Sequence, residues 1–241
     1  MRNLSSPRTF TSAAVADIDA GERVTLGERV HAHLRELLMG GDLAPGQKMS
    51  LRTVAETLGV SMMPVREAVA RLVADQSLEV LPNRAVRVPL MTRSRFRELT
   101  TVRLAVEGFA AEEAARNRTA MDLAVMRSFE EAFLAEARNP HPRAEHAVRA
   151  NKQLHFAVYR ATGFATLVGI IEGLWLKIGP VLNLDLKISP DRLRTGGVVE
   201  HHRRLLVAVE AHDQAGARQA LMDDIRDAAR FIESTGRLID A

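Results

Sequence analysis

The 241-residue chain has no cysteine and a formal net charge of only +3. Without cysteine it has no disulfide framework and no thiolate metal site. A net charge this small does not by itself mark a nucleic-acid binder. No apolar run looks long enough to span a bilayer. Residues 1–22, MRNLSSPRTFTSAAVADIDAGE, lack the apolar core of a signal peptide, and the cytoplasm without a membrane partner is the natural expectation. The chain also lacks a His-Glu-x-x-His pair, a nucleophile elbow and a glycine-rich phosphate loop, so common hydrolase and nucleotide-binding signatures are missing.

What is present is 46% hydrophobic and 26% charged residues, the composition of a soluble globular protein long enough for one large or two modest domains. The charge is unevenly placed. Residues 23–95 hold 11 Lys and Arg against 7 Asp and Glu, whereas residues 96–241 hold 20 of each. The basic excess therefore lies in one stretch, as contact with phosphates would require.

That stretch contains residues 50–73, SLRTVAETLGVSMMPVREAVARLV, which read as two short helices joined by a tight turn. Ser50 is a good N-cap, and Leu51, Val54, Ala55 and Leu58 form one apolar face. Gly59 stops the first helix because glycine adopts the left-handed C′ conformation without a Cβ penalty. Ser61 opens the second helix, with Pro64 in its first turn. Pro64 has no amide hydrogen to offer, so the Ser61 cap is expected to reach the Met63 amide. Val65, Ala68, Val69 and Leu72 form the buried stripe, leaving Met62, Arg66, Ala70 and Arg71 outside. An exposed helix with arginine near its start, braced by a preceding helix, is the geometry that reads a major groove. An ordinary helical hairpin in an enzyme is the alternative.

Taken in order, residues 1–22 read as a mobile tail. A helix from about Leu26 to Met39 places Val30, Leu34, Leu37 and Leu38 on one face, and Gly40-Gly41 ends it. Pro45-Gly46 makes a turn before the Ser50 cap. After the helix pair, SLEVLPNRAVRVP reads as a β-hairpin with a basic tip at Arg84, with Arg87 nearby. Three helices and a hairpin over residues 23–90 make a winged helix-turn-helix. From residue 94 to 241 the pattern is helical, with six helices expected at 94–117, 120–138, 144–162, 165–184, 190–211 and 214–237, forming an all-α bundle. The fold class is therefore mostly α, a winged helix-turn-helix followed by an all-α helical bundle.

The chain resembles the GntR family of bacterial transcription regulators. The resemblance rests on Gly41-Asp42-Leu43-Ala44-Pro45-Gly46, Val54-Ala55, Leu58-Gly59-Val60-Ser61, Pro64-Val65-Arg66-Glu67-Ala68 and Leu81-Pro82-Asn83-Arg84. The second half is similar to the FCD effector domain of the FadR-like subfamily, in its six-helix VanR-like branch. Its marks are Arg103 with Glu107, Asn151 with His155, and His202 followed by Leu205-Leu206 and Asp213. The resemblance implies a homodimer, most often a repressor, on a short and roughly palindromic double-stranded operator. It implies DNA contacts at Arg52, Ser61, Met62, Met63, Arg66 and the wing around Arg84. Arg52 and Arg66 can pair with phosphate or with guanine, and Ser61 can bond a phosphate. Two departures stand out. Met62 and Met63 occupy positions that often carry arginine and threonine, which shifts base selectivity toward Arg66. Ala85 replaces the usual wing glycine.

In the second half, Asn151 and His155 are four residues apart and share a helix face. The FCD metal pattern implied by the resemblance runs Asp or Asn, then three histidines, and here it reads Asn151, His155, His202 and Asp224. Two imidazoles with carboxylate and amide oxygens suit Zn²⁺, Ni²⁺ or Mn²⁺ with positions open for a ligand carboxylate. No organic cofactor is implied. Arg103 would hold a small carboxylate effector as a bidentate fork, or would pair with Glu107 one turn away. His155 is alternatively an ordinary core histidine, and the sequence does not say which of His201 and His202 faces inward. His202 is preferred on its spacing to the family marks. Two other readings remain open: a metal-dependent hydrolase built on His155, His202 and Asp224, and a DNA-binding protein with an inert bundle.

Overall fold

The computed structural model describes residues 25–82, 85–182, 193 and 197–240. The wing tip at Asn83 and Arg84, the N-terminal tail and the first part of the helix expected at 190–211 lie outside these residues.

Helix α1 (Leu26–Met39) starts in a capping box, with the Thr25 hydroxyl accepting from the Glu28 amide and the Glu28 carboxylate accepting from the Thr25 amide at 2.7 Å. It buries Val30, Leu34 and Leu38. Helix α2 (Leu51–Leu58) is capped by Ser50, whose hydroxyl accepts from Thr53 N at 3.0 Å, and it ends at Gly59 with φ +64°. Helix α3 (Met62–Ala74) buries Val65, Ala68, Val69 and Leu72 as the apolar stripe requires. Its expected cap fails, because Ser61 makes no side-chain cap bond. The Met63 amide that it was expected to reach receives no bond from its hydroxyl, and nothing in the structure explains this. Met62 is also half-buried against the core rather than outside, and Met63 is the exposed methionine.

The wing is wider than a hairpin. Strands β1 (Lys48–Met49), β2 (Glu79–Val80) and β3 (Val86–Arg87) form an antiparallel sheet in the order β1-β3-β2. The turn at Gly46 brings the segment before α2 alongside β3, where Gly46 N donates to Val88 O and Val88 N to Gln47 O. Two residues per strand carry too little alternation to announce β1 from sequence.

Among the described residues six helices follow: α4 (Arg93–Asn117), α5 (Ala120–Arg138), α6 (Ala144–Arg160), α7 (Ala165–Leu182), α8 (Val198–Glu210) and α9 (Gln214–Ser234). Thr92 and Thr119 cap α4 and α5 through their hydroxyls. Helix α6 stops two residues short of expectation, because Thr162 bonds back to Tyr159 O and Gly163 turns the chain at φ +72°. Helix α4 lies along α9, α5 along α6, and α8 along α9. The expectation that no run is long and apolar enough to cross a bilayer is corrected by α7. Its 18 residues have mean hydropathy 1.5 and are 39% buried in the subunit, with Ile171, Trp175 and Ile178 in the core.

Candidate nucleic-acid interface and metal centre

The exposed face of α3 presents Arg66 and Met63. Arg66 has no ion pair among the described residues, so its guanidinium is available to a ligand. Arg52, on α2, pairs with Glu56 one turn away at 2.7 Å in an exposed position. Such a pair is worth well under about 1 kcal/mol and yields to a phosphate. Ser61 is exposed beside the start of α3, where helix amides attract anions. Arg87, in the wing, pairs with Glu79 across the strands at 2.7 Å.

The second site lies inside the bundle. His155 from α6, His202 from α8 and Asp224 from α9 bring their ligand atoms within 4.8 Å of one another. Asn151, one turn before His155, has its Oδ1 buried with no hydrogen-bond partner. The Nε2 atoms of His155 and His202 are buried and lack hydrogen bonds as well. His202, not its neighbour His201, is the fully buried member of the pair.

The outer hydrogen bonds decide which ring nitrogens carry hydrogen. His202 Nδ1 lies 2.9 Å from Glu130 Oε2, and a carboxylate only accepts, so Nδ1 donates and Nε2 holds the lone pair. The Tyr159 hydroxyl donates to Glu107 Oε2 at 2.5 Å and lies 3.0 Å from His155 Nδ1. With its hydrogen committed to Glu107, the hydroxyl can only accept from Nδ1, which leaves His155 Nε2 as the atom turned to the site. That nitrogen faces Asp224 Oδ2 at 3.2 Å. A proton on Nε2, or a cation between the two atoms, satisfies this pair. Ligands about 2.0–2.1 Å from a tetrahedral zinc would be spaced about 3.3 Å apart. Burial alone would raise the Asp224 pKa, but the His155 imidazole, with His202 and His201 behind it, outweighs this and holds it below the ordinary carboxylate range. The donor set therefore fits a divalent cation, with an anchored imidazole on each of two helices.

Arg103 is buried on α4 and spent on Glu107, with Nε at 2.6 Å from Oε1 and a terminal nitrogen at 3.1 Å from Oε2. Burial works against its charge, and the Glu107 carboxylate more than offsets this, leaving its pKa raised. Its guanidinium carbon lies 5.3 Å from the centre of the Trp175 ring, and Trp175 also packs against His155 at 5.7 Å. Of the sequence candidates, Arg103, Asn151, His155, His202 and Asp224 all fall on the inward faces of the bundle. The sequence reading missed Glu130, Tyr159 and Trp175. Tyr159 sits four residues beyond His155, a spacing that could have revealed it, whereas Glu130 is 72 residues from His202 and has no local signal.

Comparison with known proteins finds two family matches along the chain. Residues 26–88 match the bacterial regulatory proteins of the gntR family and residues 98–227 match the FCD domain. The chain is 33% identical to the HTH-type transcriptional regulator McbR of Escherichia coli, over 84% of this chain and 90% of that protein. It is 29% identical to a probable D-xylose utilization operon transcriptional repressor of Paenarthrobacter nicotinovorans, over 83% and 85%. The solved structure of E. coli McbR/YncC superposes with a TM-score of 0.82 at 30% identity, covering 88% of this chain and 99% of that one. A GntR regulator structure from Rhodococcus, at 21% identity and a TM-score of 0.68, shares the fold. These are families of transcription regulators, not of enzymes, which removes the hydrolase reading. The chain belongs to the GntR family of bacterial regulatory proteins, with an FCD domain following its winged helix-turn-helix.

Proposed function

We propose that this chain is a cytoplasmic, homodimeric repressor that reads a short, roughly palindromic operator and answers to a small organic acid held at a metal-containing site. The observation that carries the effector part is the convergence of His155, His202 and the Asp224 carboxylate in the bundle, with the buried His202 Nε2 and Asn151 Oδ1 left without hydrogen bonds. Leaving such atoms unmet costs about 1–3 kcal/mol each, which an inert bundle would have no reason to retain. A bound Zn²⁺, Ni²⁺ or Mn²⁺ would offer open positions to an anionic oxygen. Arg103 would contribute positive charge beside that oxygen while Glu107 holds the guanidinium in place, and Trp175 would close the site against water.

On the DNA side, Arg66 reads bases from α3, with Arg52, Ser61, Met63, the half-buried Met62 and the wing at Arg84 supporting it. A second copy of the chain is supported by exposed apolar side chains on two helices of the bundle. Val102 and Phe109 of α4 are exposed, as are Phe164 and Ile170 at α7, and a Cβ on Gly169 or Gly173 would meet nothing. Any ligand-driven change in operator affinity equals the ligand's differential affinity for the two arrangements of the dimer.

A thermal-shift screen of small carboxylic acids, run with added divalent metal and with chelator, tests this reading. Stabilisation that needs both acid and metal is the expected result. Stabilisation that survives chelator would overturn the metal and leave Arg103 as the anchor. No response to any acid would overturn the effector class.

A further inference from the structure

The junction between the winged head and the bundle contains a charged pair that the proposed site does not use. Lys152, on α6, is buried, and its ammonium pairs with Glu36 on α1, the first helix of the head. Arg35, next to Glu36, pairs in the opposite sense with Glu172 of α7 at 2.6 Å. Two ion pairs of opposite polarity therefore tie α1 to α6, which carries Asn151 and His155, and to α7, which carries Trp175. Lys152 directly follows Asn151 and precedes His155 by three residues, so it rides on the ligand-bearing helix but points toward the head.

Helix α7 makes the second link. Trp175 touches His155 and Arg103 in the site, and one turn later Gly179 meets α1. A Cβ at Gly179 would lie 2.6 Å from Leu38 O and 2.8 Å from Met39 Cα, both backbone atoms that cannot yield. Only glycine permits this approach.

Two further features bear on how the head is held: the linker and the space beside α1. Ile239, beyond α9, holds the linker through Arg93 N to Ile239 O at 3.0 Å and Ile239 N to Met91 O at 3.1 Å. Beside α1 a crevice of about 610 Å³ opens between head and bundle, lined by His33, Glu36, Phe129, Lys152, Phe156 and Arg160 among others. Rotation about the linker would open or close this crevice and must carry Glu36 past Lys152.

We infer that the Lys152–Glu36 pair, with Gly179 seated on the end of α1, is the latch through which the state of the bundle site sets the orientation of the DNA-binding head. The ammonium is mostly shielded from solvent, so parting it from Glu36 carries a cost. Displacement of α6 or α7 when the site is occupied therefore drags α1 or breaks the pair. The inference rests on the proposed site for its input, but the latch itself can be read from the DNA side, because coupling between two sites is reciprocal.

Trp175 is the chain's one tryptophan, so its emission reports the bundle site without a label. The full-length protein is titrated with a duplex selected from a random pool, and Zn²⁺ or Mn²⁺ is added alone as the second probe. In the parent protein the duplex shifts Trp175 emission, and metal changes duplex affinity by about tenfold, a usual size for such coupling. Lys152→Met keeps its metal affinity and its metal-free duplex affinity, but loses the emission shift and shows less than about a twofold metal effect. Lys152→Arg, which keeps the charge, retains both responses. Glu36→Gln, on the exposed side of the pair, serves if Lys152→Met does not fold, and should be uncoupled in the same way. A Lys152→Met or Glu36→Gln protein that responds like the parent overturns the latch, and so does a parent whose Trp175 is silent to the duplex. If the parent binds no metal yet Trp175 responds to DNA and Lys152→Met abolishes that response, the metal reading fails and the latch stands.

Discussion

His202 donates its Nδ1 hydrogen to Glu130, 2.9 Å away on a different helix. This bond leaves Nε2 as a lone pair aimed at His155 and Asp224, so a carboxylate from α5 decides the chemistry of a histidine on α8. Glu130→Gln keeps the size of the side chain but removes its obligate acceptor character. Metal affinity should fall about 10–100-fold, the usual cost of losing an outer partner, with the helical content unchanged. Competition against a chromophoric chelator measures it.

Tyr159 performs the same task for His155 through its bond to Glu107. Tyr159→Phe leaves His155 Nδ1 without a partner in a buried site and Glu107 Oε2 with only its bond from Arg103. We expect a loss of about 1–3 kcal/mol in urea unfolding, together with weaker metal binding. A variant of unchanged stability would show that the hydroxyl bridge does not organise the site.

Asp224 stands where the family pattern leads one to expect a third histidine. Asp224→His should shift preference from Mn²⁺ toward Zn²⁺ and Ni²⁺, because imidazole suits the latter pair better than carboxylate does. Calorimetric titration with each ion separately would show the reversal, and an unchanged order of affinities would place Asp224 outside the coordination.

At the DNA surface the two arginines should behave differently. Arg66→Ala should cost about 1–3 kcal/mol at one base position and relax selectivity there. Arg52→Ala should weaken all duplexes evenly and lower the salt slope by about 1. Binding curves against a mutated-site panel at several salt concentrations separate the two. An Arg66→Ala protein with full selectivity would remove the base-reading role.

The turn between α2 and α3 rests on Gly59 at φ +64° with open space around it. Gly59→Ala meets no neighbour, so its cost is backbone strain alone, about 1 kcal/mol. A thermal melt should show a drop of a few degrees, with the fold intact.

The local elements were legible in the sequence because their causes are local. Helix α1 runs from Leu26 to Met39 as its apolar spacing requires, Ser50 caps α2, and Gly59 ends it. The breaks at Thr119 and Gly163 follow from residues within a turn of them. The exception is the Ser61 cap, whose expected bond to the Met63 amide does not form.

The pairings across helices were settled only by the tertiary structure. Sequence spacing left Arg103 between a free carboxylate clamp and an ion pair with Glu107, and packing of α4 into the core forms that pair. It chose His202 over His201 for the interior and brought Glu130 to it. It also set β1 beside β3, and it set Gly179 of α7 against the backbone of α1. Helical periodicity ranks residues on one helix, but it says nothing of how two helices rotate against each other. That rotation, fixed by how side chains fill the space between them, decides which buried atoms meet.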